Sequence, residues 1–159
     1  TRCGSIDPAI LVYLGKNEGM DFDGLDAMMN KQSGLKGICG MNDMRDIHDA
    51  RAKGDAKAQL AFEMFCHSII KYIGAYYALL GRVDALVFTA GIGENDEHVR
   101  AEVCKNLSGL GIEIDLAAND KRSGDARSIS PAGTRVPVLV VPTNEELAIA
   151  RETVRVLGK

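Results

Sequence analysis

Between Asp55 and Gly81 the apolar residues Phe62, Phe65, Cys66, Ile69, Ile70, Ile73, Tyr77 and Leu80 recur at helical spacing. This predicts one long helix, capped by Asp55, stopped by Gly81 and wide enough on its apolar side to be buried. Upstream, Asp7-Pro8 reads as a cap followed by a first-turn proline, opening a short helix over "PAILVYLGK". A second short helix is expected over 22–30, "FDGLDAMMN", and a glycine-rich loop from Gly34 to Gly40. After Gly81 the pattern changes. "ALVFT", Ala85 to Thr89, is short, apolar and bounded by turn signals, as a strand buried on both faces would be. A helix from about Glu97 to Leu107 should follow, then a short alternating strand, "IEID", at 112–115, and polar surface over 117–127. "VPVLVV" at 136–141 reads as a second buried strand. It leads into "TNEELAIARETVRVL", a helix with Thr143 or Asn144 as cap and Glu145 and Glu146 in its first turn. Two strand-to-helix units imply an α/β fold with a small, largely parallel sheet. Ligands of such sheets bind beyond the carboxyl ends of the strands, where Gly91 and Glu145 would both lie.

Composition narrows the picture. The 159 residues are 46% hydrophobic and 26% charged, which suits a domain with a substantial core. A formal net charge of −3 argues against a non-specific nucleic-acid binder. No apolar run reaches the roughly 18–20 residues of a membrane span, and no charged-then-apolar leader opens the chain. Cys3, Cys39, Cys66 and Cys104 are far apart and form no CxxC pair, so reduced thiols in a cytoplasmic protein fit better than zinc or disulfides. The start, "TRCGSIDPAI", lacks an initiator methionine and reads as part of a longer polypeptide.

The stretch "VDALVFTAGIGENDEHVR", Val83 to Arg100, joins a strand to a helix through Gly-Ile-Gly. A P-loop needs a lysine after its glycines, but Gly93 is followed by Glu-Asn-Asp. A dinucleotide fingerprint needs a third glycine or alanine, and Asp96 stands there. Two readings stay open: an ordinary tight turn, or a turn where backbone approaches a flat, weakly charged group such as adenine or ribose, with Asn95 offering a donor and an acceptor. Arg2 is either a surface arginine or an anion ligand beside a helix start. Asp43, Arg45 and Asp46, in "NDMRDIHDA", form either a charged cap or part of a site. Glu145 either compensates a helix dipole or approaches Mg²⁺. His48, His67 and His98 share no spacing; His67 should flank the long helix, and the other two should lie on the surface.

In combination, "TRCGSIDP", "NDMRD", "FTAGIGEN" and "PTNEELAIARET" closely resemble the carboxyl-terminal portion of the acetate and propionate kinase family, over essentially all 159 residues. Met44 stands where the family often has phenylalanine. The resemblance implies the actin, Hsp70 and sugar-kinase (ribonuclease H-like) superfamily, with ATP bound between two closing domains. It implies reversible transfer of the ATP terminal phosphoryl to acetate, giving acetyl phosphate and ADP, with propionate or butyrate as alternative acceptors. It implies Mg²⁺, with Mn²⁺ as the alternative metal, and a homodimer; the net charge, the short apolar runs and the scattered cysteines add the expectation of a cytoplasmic protein with no nucleic-acid or membrane partner. Arg2 matches the arginine that stabilises the moving phosphoryl group. Asp43, Met44 and Arg45 match a segment lining the ATP site. Gly91, Ile92, Gly93, Glu94 and Asn95 match the loop against the adenosine, and Glu145 matches the Mg²⁺-associated glutamate. The family's amino-terminal domain and the glycine-rich phosphate turn have no counterpart in residues 1–159. The alternative class is therefore a nucleotide-binding fragment with no turnover of its own.

Overall fold

In a computed structural model the chain is described from Thr1 to Gly158. It divides into two compact units, Thr1–Ser68 and a second that begins at Ile69.

The first unit is helical: α1 (Ala9–Asn17), α2 (Phe22–Lys31), α3 (Gly34–Cys39), α4 (Met44–Ala52) and the start of α5 (Ala56–Leu80). Aspartates open most of these helices by accepting from orphan backbone N–H groups. Asp7 accepts from Ala9 at 2.9 Å, Asp21 from Gly24 at 2.8 Å, and Asp55 from Lys57 and Ala58 at 2.8 and 3.0 Å. The expected loop from Gly34 to Gly40 is instead helix α3. Its glycines mark the ends: Gly34 has φ +60°, and Gly40, at φ +78°, closes the helix by donating to the Lys36 carbonyl at 2.8 Å. Leu25, Met44, Ile47, Ala58, Ala61, Phe62 and Cys66 form the core. His48, expected on the surface, packs edge-on against Phe62 with ring centroids 5.5 Å apart, while the Arg51 guanidinium covers the same ring at 3.5 Å. The long helix is buried only near its start, at Ala58, Ala61, Phe62 and Cys66. On the predicted apolar face Phe62 and Cys66 are buried, Phe65, Ile69, Ile70, Ile73 and Tyr77 are half-buried and Leu80 is exposed, while Tyr72, Tyr76 and Leu79 lie exposed off that face. Gly81 ends α5 at φ +67°.

The second unit contains β1 (Leu86–Phe88), α6 (Ala90–Asn95), α7 (Glu97–Lys105), α8 (Leu116–Asp120), β2 (Arg127–Ser128), β3 (Val138–Val140) and α9 (Glu145–Val156). Its sheet has the order β1-β3-β2. β1 runs parallel to β3, with Leu86 opposite Val138 and Phe88 opposite Val140; β2 is antiparallel to β3. Phe88, Val99, Val103, Cys104, Leu107, Ile112, Ile129, Val136, Val138 and Val140 are buried. β1 is not buried on both faces, because Val87 is 48% exposed. "IEID" contributes one bridge, Ile112 to Val136, and no strand. Asp115 instead caps α8, accepting from Ala118 at 3.0 Å. α8 overlaps, at 117–120, the residues expected to be polar surface, and it carries Asn119 into the interior at 1% exposure.

Candidate functional site

In the first unit, the backbone around Arg2 is held against the end of α2. Ser33 N–H donates to the Thr1 carbonyl at 2.9 Å, and Cys3 N–H donates to the Met29 carbonyl at 2.8 Å. A Cβ on Gly34 would stand 2.6 Å from the Arg2 carbonyl oxygen, so this approach requires glycine. Arg2 itself is exposed. Asp43 caps α4 and pairs with Arg45: its carboxylate accepts from Arg45 N–H at 2.9 Å, Nε at 3.0 Å and Nη2 at 2.6 Å. The side-chain hydrogen bond from Arg45, followed by its backbone N–H, holds the Asp43 carboxyl at about 2, and the same side-chain bond together with the Asp43 charge pushes the Arg45 pKa up. Met44 is buried in the core. The segment therefore presents the paired Asp43 and Arg45 outward and uses Met44 for packing.

In the second unit, "GIGEN" is not a glycine turn. Thr89 is extended, Ala90 takes φ +58°, and residues 90–95 form a short helix. The reversal falls on Ala90, one of the few situations in which a non-glycine residue adopts the left-handed region. The two glycines then differ. A Cβ on Gly91 would meet nothing within 4 Å, whereas one on Gly93 would stand 3.3 Å from the Phe88 carbonyl carbon. Gly93 lets α6 lie close on the end of β1; Gly91 leaves an open face. Ile92 is 37% exposed. Asn95 Nδ2 donates to the Gly91 carbonyl at 2.9 Å, so one of its amide hydrogens serves the helix.

The Glu94 carboxylate accepts from the Thr143 N–H at 2.8 Å and hydroxyl at 2.9 Å. The backbone donor of Thr143 is the main cause holding the Glu94 pKa below its ordinary value. This pair ties α6 to the loop between β3 and α9, on the carboxyl edge of two parallel neighbours. With Thr143 so engaged, Asn144 caps α9, accepting from Leu147 at 2.9 Å. Glu145 opens α9 and is exposed. Among the described residues no group of three or more His, Cys, Asp and Glu side chains could hold a metal ion. Glu145 thus fits a hard cation only as a single carboxylate donor, the arrangement by which Mg²⁺ is held by one or two carboxylates together with substrate phosphates.

Sequence reading missed three residues: Thr143 as the partner of Glu94, and Arg100 with Asn119. Asp96, which broke the dinucleotide fingerprint, is the buried cap of α7, accepting from Val99 at 2.9 Å. Arg100 shares a stripe with buried Val99, Val103 and Cys104. An arginine within an apolar stripe was the available signal. Its donors reach the Gly93 and Glu94 carbonyls, both at 2.9 Å.

The chain is 65% identical over 157 residues to the acetate kinase of Nitratidesulfovibrio vulgaris strain DP4, covering 99% of this chain and 39% of the relative. It is 52% identical over 159 residues to the acetate kinase of Campylobacter jejuni subsp. doylei, covering 100% of this chain and 40% of the relative. The crystal structure of Porphyromonas gingivalis acetate kinase superposes with a TM-score of 0.90 at 42% identity, covering 99% of this chain and 40% of that one. A propionate kinase from Francisella tularensis superposes with a TM-score of 0.87 at 43% identity, over 96% of this chain and 38% of that one. The chain thus spans about two fifths of the length of the curated relatives it matches. Residues 1–151 match the sequence model of the acetokinase family, and the chain belongs to that family.

Proposed function

We propose that residues 1–159 are the carboxyl-terminal nucleotide-binding portion of an acetate kinase, without the amino-terminal domain and the glycine-rich phosphate turn. The whole protein reversibly transfers the terminal phosphoryl of ATP to acetate, giving acetyl phosphate and ADP. The observation that carries this reading is the carboxyl edge of the β1–β3 pair. There, α6 turns the open face of Gly91 outward, and Glu94 binds the Thr143 loop that leads to Glu145. A nucleoside against Gly91 and Ile92 meets little steric or charge opposition, and no lysine is needed because this helix does not hold the reacting phosphate. Gly93 and Glu94 set the helix in place, and Asn95 keeps its carbonyl oxygen for the ligand. In the first unit, taken by itself, α4 presents Asp43 and Arg45 outward for the nucleotide, with Met44 fixing them to the core. Glu145 holds Mg²⁺, or Mn²⁺, together with the nucleotide phosphates, and the metal neutralises phosphate charge. Arg2 supplies a fixed positive charge to the phosphoryl group as it moves, since such transfer depends mainly on positioning and charge neutralisation.

Acetate is preferred over propionate as acceptor because the curated relatives at 52–65% identity named above are acetate kinases. The protein acts as a cytoplasmic homodimer with no nucleic-acid or membrane partner. In the full-length protein, Arg2→Ala should lower kcat about 10³-fold while changing the KM for ATP far less. Hydroxamate assays over an ATP series check this; an unchanged kcat returns Arg2 to an ordinary surface residue.

A further inference from the structure

Arg100 is among the largest fully buried side chains, at 2% exposure. A buried guanidinium carries five N–H donors, and leaving them unpaired is costly. Here they are distributed between two places. Nε donates to Asn119 Oδ1 at 2.7 Å and Nη2 to the Asn119 carbonyl at 2.9 Å. Nη1 donates to the carbonyls of Gly93 and Glu94. Asn119 is itself oriented by donating to the Glu97 carbonyl at 3.0 Å. The carbonyls of Gly93 and Glu94 belong to the last turn of α6, where carbonyls lack helical partners and a cation is favourable.

α6 has no buried residue of its own. A helix without an apolar anchor takes its position from polar ties and from the close approach of Gly93 to β1. Displacing a core methyl elsewhere leaves those ties intact; altering Arg100 does not. We infer that Arg100, oriented by Asn119, is a positioning residue for nucleotide binding: it sets α6 so that the Gly91 face meets the nucleoside, and it does not touch the ligand. This rests on the reading of α6 as the nucleoside seat.

The test uses the full-length protein and ADP as probe, comparing Arg100→Lys, Asn119→Ala and Val103→Ala. A lysine cannot span Asn119 and both carbonyls. Val103 is equally buried on α7 and makes none of these hydrogen bonds. Arg100→Lys should weaken ADP binding by calorimetry, and raise the KM for ATP, about tenfold, as loss of a charged hydrogen bond would. The KM for acetate and kcat should stay within about twofold, since the chemistry is untouched. Val103→Ala should lower Tm and leave ADP affinity unchanged. Equal effects of Arg100→Lys and Val103→Ala on ADP affinity, relative to their Tm losses, would overturn the inference. If Arg100→Lys does not fold, Asn119→Ala, which removes one acceptor of four, should weaken ADP binding about threefold, and unchanged affinity in that variant overturns the inference equally. Failure of the underlying reading is visible separately: ADP binding would then be insensitive to Gly91→Ala as well.

Discussion

The two candidate nucleotide segments are held in opposite ways. Asp43 and Arg45 satisfy one another across two residues of sequence, through one helix cap and one ion pair. Gly91–Asn95 is held by Arg100, six and seven residues on, by Asn119 through Arg100, and by Thr143, 49 residues from Glu94. The first segment carries its geometry with it. The second has its geometry imposed by the tertiary fold, so its shape depends on residues that never face a ligand. A site assembled this way should tolerate changes to its exposed charges and respond to changes in the buried polar residues beneath it.

That contrast can be broken most forcefully from below. Arg100→Met should destabilise the protein by about 3 kcal/mol or more in urea unfolding, because Asn119 and two backbone carbonyls lose their donor inside the fold. A loss no larger than that of an exposed arginine would remove the basis for treating α6 as imposed. Thr143→Ala should cost roughly 0.5–1 kcal/mol, the net worth of one hydroxyl hydrogen bond, while Asn144 continues to cap α9. Asp43→Asn should change neutral-pH stability least, since its pair with Arg45 is solvent-exposed and such pairs contribute little.

Acid and base titrations sharpen the same contrast. The Asp43 carboxyl sits at about 2 in the folded protein against an ordinary 3.8. Its contribution is complete above the unfolded value and disappears as pH falls from about 4 to about 2. Asp43→Asn should flatten a small part of the acid limb in that window and nothing above it. At the other extreme, burial pushes the Cys104 thiol from 9.0 up to about 12. Its contribution is complete below pH 9 and is lost as pH rises toward 12. Native alkylation should accordingly reach Cys3 and Cys39, which are partly exposed, well before buried Cys66 and Cys104.

What the sequence disclosed follows the same division. Helix starts were legible at Asp7, Asp55 and Asn144 because a cap and its N–H partners lie within three residues. Gly34 and Gly40 misled because glycine reads as loop in isolation, while here both sit at helix ends and take left-handed φ. "IEID" alternates as a strand does, but Asp115 capped the next helix instead of continuing a ladder. Along α5 the predicted stripe passes from buried at Phe62 and Cys66 through half-buried at Ile69, Ile70, Ile73 and Tyr77 to exposed at Leu80, a gradient that sequence periodicity does not show. In the candidate site, the glycines and charges were visible as a motif. The ties from Arg100, Asn119 and Thr143 were not, because pairing across 6 to 49 residues leaves no local pattern.

The central claim is that the open face at Gly91 meets the nucleoside, and one substitution tests it without disturbing the fold. Gly91 is helical, its φ is not left-handed, and a Cβ there touches nothing within 4 Å. Gly91→Ala should therefore leave Tm unchanged or raise stability by about 0.4–1 kcal/mol through the unfolded chain. Measured with saturating ADP on the full-length protein, the same variant should lose about 1.4 kcal/mol of ligand stabilisation for a tenfold weaker site. Intact stability with a reduced ADP-induced shift is the predicted result. An ADP-induced shift equal to that of the unsubstituted protein would contradict the claim and leave "GIGEN" as a structural helix alone.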